Sequence, residues 1–268
     1  MPPSARYDGG VAIHRALLLI ADIGGYTRFM SVHRVNLTHA QTVVAQLLEA
    51  ILDAAGPFKL AKLEGDAAFL YAKVPDGEAD LSSVSQQVAR IRRAFLERRH
   101  SLEIDRLCSC DACVQASQLN LKFVAHLGEV AEQRVKKNRE LAGVAVITVH
   151  RLLKNNVPVP EYVLMTEEVH AHLPAELQSA TLSQTEELEG LGATRTWYLD
   201  LAGGLGAWEP SASASGPSSF PRRFFAWLAL CWRSVPYFLH LKEPCEGFQN
   251  LGEIGEGESL AKEAPHRH

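Results

Sequence analysis

Apolar positions recur along this chain with two periods, which predict strands and helices in alternation. An apolar run that begins at Ala16 and is interrupted only by Asp22 predicts a strand over 16–23, buried along its first part. The sequence "THAQ" at 38–41 matches a capping box, and the apolar residues behind it recur at helical spacing up to Leu52. Short apolar runs at 59–63 and 67–74 are separated by Glu-Gly-Asp alone, which predicts a β-hairpin.

The same alternation continues further along the chain. Helical spacing predicts a second helix over 84–95 and a third over 146–153. Residues 119–130 alternate like a strand with two unlike faces, and the charged stretch 131–140 is predicted to be a loop. A further strand is predicted at 161–167, with a short helix after it. The order β-α-β-β-α-β-α-β predicts an α+β sandwich with helices on one face of a mostly antiparallel sheet.

A strand at 193–201 is predicted to close the folded domain. We therefore divide the chain into a leader (1–14), one domain (15–202), a Gly/Ser/Pro linker (203–221) and a tail (222–268). In the tail, residues 222–241 combine aromatic residues and leucines with flanking arginines. This composition predicts contact with a membrane surface or a partner protein, or a helix that folds back onto its own domain. The last residues are predicted to be disordered.

Composition narrows the function classes. With 47% hydrophobic residues, 22% charged residues and a net charge of −4, the chain lacks the basic surface of a non-specific nucleic-acid binder. The N-terminus shows no secretory signal. The longest apolar stretch, 224–232, is shorter than the roughly 20 residues that a spanning helix needs. We predict a cytoplasmic protein, with peripheral attachment to a membrane as the alternative that the tail leaves open.

Cysteine usage raises the question of a metal site. The chain has five cysteines, an odd number that fits a reducing compartment better than a disulfide framework. Cys108, Cys110 and Cys113 lie within six residues and are candidate Zn²⁺ ligands, if a fourth ligand comes from elsewhere. The alternative is three reduced cysteines on a loop.

Two other charged features have ordinary structural readings. His126 lies on the polar side of its predicted strand and is interpreted as a cross-strand partner rather than as a catalytic base. The arginine-rich stretch 89–100 is interpreted as the solvated face of a helix, with an acidic partner as the alternative.

Two aspartates lie at the ends of predicted strands and are candidate metal ligands. Asp22 ends the first strand and precedes two glycines, and Asp66 lies at the tip of the hairpin. If the hairpin lies beside the first strand, both carboxylates face one point at the edge of the sheet. Mg²⁺ is commonly held by a few carboxylates together with phosphate oxygens, and glycines allow backbone amides to approach phosphates. The alternative is that either acid only shapes its turn.

Four motifs carry a resemblance to a known family. They are "ADIGGYTRFM", "AKLEGDAAFLYA", "LKFVAHLGEV" and "ELAGVAVITVHRLLK". In this order and spacing they resemble the catalytic domain of class III nucleotide cyclases over about residues 15–200, and are most similar to a bacterial branch known only as a domain of unknown function. The resemblance implies a ferredoxin-like cyclase sandwich.

The resemblance implies a metal and phosphate site. Asp22 and Asp66 would hold two Mg²⁺ or Mn²⁺ ions, with the carbonyl of Ile23 as an additional ligand. The turn that would cradle the triphosphate through backbone amides comprises Gly24, Gly25, Tyr26 and Thr27.

It also implies residues that recognise the base and act in catalysis. Lys62 would read the adenine edge, Glu140 would be the second base-reading residue, and Arg151 would stabilise charge on the α-phosphate. The implied activity is conversion of ATP to cyclic AMP and pyrophosphate by a head-to-tail homodimer. Ile147 stands where the family usually has an Asn that orients the ribose. A non-catalytic nucleotide-binding or regulatory module and a dimeric interaction scaffold therefore remain alternatives.

Overall fold

The computed structural model describes residues 11–32, 37–75, 82–105, 115–136 and 138–202, together with scattered positions between 220 and 239. Several predicted features lie outside the described residues: the leader up to residue 10, nearly all of the linker, the acidic end of the chain, and Cys108, Cys110 and Cys113.

The described residues form eight strands and six α-helices. The strands are β1 (Ala12–Gly24), β2 (Lys59–Glu64), β3 (Ala67–Lys73), β4 (Asn120–Val135), β5 (Asn138–Ala142), β6 (Tyr162–Thr166), β7 (Leu182–Leu188) and β8 (Gly192–Asp200). The helices are α1 (Tyr26–Val32), α2 (Leu37–Asp53), α3 (Ser82–Ile104), α4 (Val144–Arg151), α5 (Glu167–His170) and α6 (Ala175–Ser179).

All eight strands belong to one sheet. Its order is β2-β3-β1-β4-β6-β8-β7, and β5 pairs with β4 beside this path. Every neighbouring pair is antiparallel except β4 and β6, which are parallel and are connected through α4. The structure thus confirms an α+β fold with a mostly antiparallel sheet. It also places β1 between β3 and β4, so residues at the end of β1 have neighbours on two sides.

Helices cover both faces of the sheet, so the prediction of helices on one face is wrong. Leu17 and Leu19 of β1 pack in a core with residues of α2 and α3. Leu18 and Ile20 point to the opposite face, where they pack in a second core with Ala145 and other residues of α4. The cause lies in the sequence of β1. Because consecutive residues of a strand point to opposite faces of the sheet, a run of consecutive apolar residues must be buried on both faces.

Three further features differ from the prediction. Helix α2 begins at Leu37, so Thr38 lies inside the helix and is not its N-cap. The charged stretch that was predicted as a loop belongs largely to β4 and β5, which form a hairpin past Lys136, a residue with φ of 56°. Strand β7 was missed because it is polar and lies at the edge of the sheet, where only Glu186 and Leu188 of its residues are buried.

The tail is described only at scattered positions, several of which have helical backbone. There the side chains of Phe220, Phe225 and Trp232 are exposed, so these three aromatic residues are not packed against the sheet. None of the helices that the structure describes is long and apolar enough to cross a membrane.

Candidate functional site

The structure brings Asp22 and Asp66 to the same end of two neighbouring strands. Asp22 lies near the end of β1 opposite Ala67, and Asp66 immediately precedes β3. The backbone N–H of Ile23 donates a hydrogen bond to the Asp66 carbonyl at 3.2 Å. Burial, and secondly the negative charge of Asp22, raise the pKa of Asp66 to about 6. The two carboxylates therefore interact, as the hairpin prediction required.

A lysine that sequence reasoning missed lies directly at this site. Lys122 of β4 stands opposite Asp22 in the strand register, and its Nζ lies 2.9 Å from Asp22 Oδ2. Both side chains are largely buried, with 25% and 15% of their surface exposed. Burial lowers the pKa of Lys122, but the hydrogen bond and the charge of Asp22 outweigh it, so the pKa is raised overall. The ammonium therefore stays charged and offsets one of the two negative charges.

The donor set fits a divalent cation that also has ligands from a nucleotide. Two carboxylates are hard oxygen ligands of the kind that Mg²⁺ and Mn²⁺ prefer. Lys122 takes one oxygen of Asp22, which leaves the other oxygen of Asp22 and the carboxylate of Asp66. Among the residues described, no group of three or more His, Cys, Asp or Glu side chains could hold a metal ion. A bound ion would therefore need phosphate or water oxygens to complete its coordination.

The predicted phosphate turn connects β1 to α1. Gly25 has φ of +85°, a left-handed conformation that favours glycine, and its carbonyl accepts a hydrogen bond from the N–H of Phe29 at 2.9 Å. Tyr26 packs against the first core, whereas Thr27 is exposed. The turn follows Asp22 and Ile23 directly, so its backbone begins beside the carboxylate pair.

The two predicted base-reading residues line one pocket. Lys62 of β2 and Glu140 of β5 both face a cavity of about 440 Å³. The other lining residues are Leu60, Ala61, Tyr71, Asn138, Arg139 and Leu141. The cavity thus combines apolar side chains with the cationic groups of Lys62 and Arg139 and the carboxyl group of Glu140.

Arg151, the predicted catalytic arginine, is the last residue of α4 and pairs with Glu189. Glu189 is 87% exposed, so solvent weakens this ion pair and Arg151 can exchange it for another anion at little cost. Helix α4 packs closely against strand β4 at Gly128. A Cβ at Gly128 of β4 would lie 2.8 Å from the Cβ of Ala145, so only glycine permits this approach.

Two histidines connect elements around the site. His150 Nε2 of α4 lies 3.0 Å from Glu64 Oε2 at the end of β2, a contact that the sequence did not indicate. His126 Nδ1 lies 2.9 Å from the hydroxyl of Thr166 on the neighbouring strand β6, which confirms its interpretation as a cross-strand partner. Burial lowers the pKa of His126, which keeps the imidazole neutral near pH 7.

Comparison with known proteins identifies the family. The model of a family described as "Protein of unknown function (DUF2652)" matches residues 44–162. An uncharacterised protein of Mycobacterium tuberculosis, Rv2561/Rv2562, is 44% identical over 214 residues, which are 78% of this chain and 95% of that protein. The chain belongs to the DUF2652 family.

Solved structures show which fold this DUF2652 protein has. The guanylyl cyclase Cya2 superposes with a TM-score of 0.54 at 13% identity, over 70% of this chain and 93% of that one. The adenylyl cyclase CyaB from P. aeruginosa gives 0.50 at 14% identity, over 74% and 100%. A bacterial light-regulated adenylyl cyclase gives 0.52 at 16% identity, over 70% of this chain but only 52% of that one. The DUF2652 chain therefore has the class III cyclase fold, and it spans about half the length of the light-regulated enzyme.

Proposed function

We propose that this DUF2652 protein is a nucleotide cyclase that converts ATP to cyclic AMP and pyrophosphate. The observation that carries the proposal is the meeting of Asp22 and Asp66 on a cyclase fold, where the charge of one carboxylate acts on the other. The pocket lined by Lys62 and Glu140 supports a purine nucleotide as the substrate.

The choice of ATP rests on the chemistry of the pocket. Adenine presents a ring nitrogen that accepts a hydrogen bond beside an amino group that donates one. A lysine is only a donor and an ionised glutamate only an acceptor, so Lys62 and Glu140 complement this edge. Guanine has a ring N–H in place of the acceptor nitrogen and a carbonyl in place of the amino group. It therefore needs a hydrogen-bond acceptor and a donor from the protein in exchanged positions. We therefore propose that the protein prefers ATP to GTP.

The reaction forms a bond between the ribose 3′ oxygen and the α-phosphorus, while the bond from that phosphorus to pyrophosphate breaks and the hydroxyl proton leaves. A bound divalent cation would lower the pKa of this hydroxyl and neutralise negative charge on the phosphates. Asp22 and Asp66 would hold the cation, and the backbone from Gly24 to Thr27 would face the phosphates. Arg151, released from its exposed partner Glu189, would stabilise the charge on the α-phosphate.

Cyclase activity is the direct test. Purified protein incubated with ATP and Mn²⁺ should produce cyclic AMP, measured by chromatography, and should turn over GTP more slowly. Asp22→Ala and Asp66→Ala should each lower the rate at least about 100-fold, because each removes a carboxylate that holds the cation. The matched control is Asp53→Ala, which removes an exposed acid at the end of α2 and should leave the rate unchanged.

A second candidate is a nucleotide-binding or regulatory module without turnover. It is favoured by Ile147, which is 48% exposed on α4 and cannot form the hydrogen bond that the resemblance expects from an Asn. Saturable ATP binding in calorimetry, with no cyclic AMP formed, would support this candidate and contradict the cyclase proposal.

A third candidate is an interaction scaffold. The exposed aromatic residues Phe220, Phe225 and Trp232 favour it, because exposed apolar side chains are typical of contacts with a protein or a membrane surface. If the protein neither binds ATP nor forms cyclic AMP, the interaction scaffold is the candidate that remains.

A further inference from the structure

His150 joins the end of helix α4 to the β2–β3 hairpin. Its Nε2 lies 3.0 Å from Glu64 Oε2, and its Nδ1 lies 2.8 Å from the carbonyl oxygen of Val146. Carboxylate and carbonyl oxygens only accept hydrogen bonds, so both contacts are hydrogen bonds when each ring nitrogen carries a proton. The ring then holds a positive charge in the last turn of α4, where the helix dipole favours a cation.

The ring of His150 also packs against the hairpin. It makes an edge-to-face contact with the ring of Phe69, with 4.9 Å between the ring centroids and an interplanar angle of 78°. Phe69 is buried and is the register partner of Lys62 on β2. The side chains of His150 and Glu64 are 30% and 29% exposed, so solvent screens their attraction only in part.

The two ends of this contact lie beside two different parts of the proposed substrate site. Glu64 follows Lys62 by two residues on β2, and its Oε1 lies 3.9 Å from Lys62 Nζ. His150 directly precedes Arg151 at the end of α4. Helix α4 has eight residues, fewer than the roughly 12 that an isolated helix needs. The position of its last turn therefore depends on contacts with the rest of the chain.

We propose that His150 is a positioning residue, which fixes the place of Arg151 relative to Lys62 by binding Glu64 and packing against Phe69. It thereby sets the distance between recognition of the base and stabilisation of the α-phosphate. The proposal deepens the proposed function and rests on it for the nucleotide. Attachment of the end of α4 to the hairpin needs no nucleotide and is tested separately.

The first experiment measures kcat and KM for ATP. His150→Leu should lower kcat about 10–100-fold, because a small misplacement of a catalytic group is enough for such a loss. KM should stay unchanged, because the pocket of Lys62 and Glu140 is left intact. His150→Gln keeps a side-chain N–H that can reach Glu64 and should recover most of the rate. An unchanged kcat, or a loss that falls on KM alone, would overturn the inference.

The matched control is His172→Leu. The Nδ1 of His172 lies 2.7 Å from the carbonyl oxygen of Glu168, four residues before it, as that of His150 does with Val146. His172 is exposed and follows α5, which packs in the first core, on the face of the sheet opposite to α4. Its replacement should leave both kcat and KM unchanged.

Glu64→Ala removes the partner from the other side and should lower kcat to a similar extent. The double variant Glu64→Ala with His150→Leu should be no slower than the slower single variant, because both changes remove one and the same interaction. Losses that multiply would mean that the two residues act independently, which would also overturn the inference.

The second experiment uses amide hydrogen exchange without nucleotide. A peptide covering 144–154 should exchange at least about fivefold faster in His150→Leu than in the unaltered protein or in His150→Gln, because the end of α4 opens more readily. His172→Leu should leave this exchange unchanged. Circular dichroism checks folding, and Glu64→Ala replaces His150→Leu in both experiments if the latter is unfolded.

The two experiments separate this inference from the proposed function. Unchanged exchange in a folded and active His150→Leu protein would overturn the inference and leave the cyclase proposal standing. Faster exchange in His150→Leu, when even the unaltered protein forms no cyclic AMP, would overturn the proposed function, while the attachment of α4 to the hairpin would stand.

Discussion

Asp66 lowers the stability of the fold when it is ionised, although the same carboxylate is a proposed metal ligand. Its pKa is raised to about 6 by burial and by the charge of Asp22, whereas in an unfolded chain it would lie near 3.8. Above pH 6 the folded protein therefore carries an ionised acid in an unfavourable place. The free energy of unfolding should rise as the pH falls from 6 towards 3.8, because the folded state then binds a proton that the unfolded state does not.

Asp66→Asn should consequently stabilise the protein at pH 7.5. The shift of about two pKa units corresponds to at most about 3 kcal/mol. Because Asp66 is partly exposed, solvent screening reduces this, and we expect a gain of about 1–2 kcal/mol. At pH 4 the gain should fall to near zero. Urea unfolding in the presence of EDTA at the two pH values measures both.

The control for this measurement is Asp53→Asn, an exposed acid whose replacement should change stability by less than about 0.5 kcal/mol at either pH. A gain for Asp66→Asn that is the same at pH 4 and pH 7.5 would mean that ionisation of Asp66 is not its cause.

Among the elements, α3 is joined to the sheet by an ionic network. Arg92 Nη2 lies 2.6 Å from Glu161 Oε2, and Arg99 Nη1 lies 3.8 Å from Glu161 Oε1. Arg99 also donates to the Leu119 carbonyl at 2.6 Å. Arg92 and Glu161 are only 11% and 9% exposed, so the interpretation of this stretch as a solvated face is wrong for Arg92. The acidic partner left open as the alternative lies within the chain itself, just before β6.

Glu161→Gln should destabilise the protein by about 3 kcal/mol, since it leaves two largely buried arginines without their counter-charge. The matched control lies on the same helix. Glu97 pairs with Arg93 at 2.8 Å, but both side chains are about half exposed, so Glu97→Gln should cost no more than about 0.5 kcal/mol. Urea unfolding compares the two variants. Equal losses would show that burial of the Arg92 pair does not decide its contribution.

For the whole molecule, we propose that the chain acts as the head-to-tail homodimer that its resemblance to class III cyclases implies. In this dimer, Lys62 and Arg151 of one subunit would complete a site with the carboxylates of its partner. Apolar side chains exposed on β2 and α4, namely those of Leu60, Leu63 and Val144, are compatible with such an interface.

A mixing experiment tests the shared site. Asp22→Ala and Arg151→Ala should each be inactive, whereas their mixture should regain about one quarter of the normal rate. Half of the dimers are then mixed, and each mixed dimer has one intact site of two. Cyclic AMP formation after mixing and re-equilibration is the measurement.

The control mixes Asp22→Ala with Asp66→Ala, whose changes fall on the same half of the site and should restore nothing. Mixed dimers seen by native mass spectrometry without any regained activity in the first mixture would contradict a site shared between subunits.

The degree to which the sequence could predict this structure varies with the range of the interactions involved. Strand β1, the β2–β3 hairpin and helix α3 were predicted from local periodicity, although α3 extends to Ile104, beyond its predicted end at 95. The polar edge strand β7 was not, because its residues contact solvent as much as the core and show no clear alternation. The two acids were found because Asp22 lies near the end of an apolar run just before two glycines, and Asp66 lies between Gly65 and the next apolar run.

The sequence alone determined the succession of most elements, the acids at two turns and, through four ordered motifs, the cyclase fold. Only the tertiary structure decided that Lys122 faces Asp22, that Arg92 meets Glu161, and that Lys62 and Glu140 share a pocket. These contacts join residues far apart in the chain. They depend on strand register and on which face a helix covers, and both are set by burial of the whole core rather than by any local pattern.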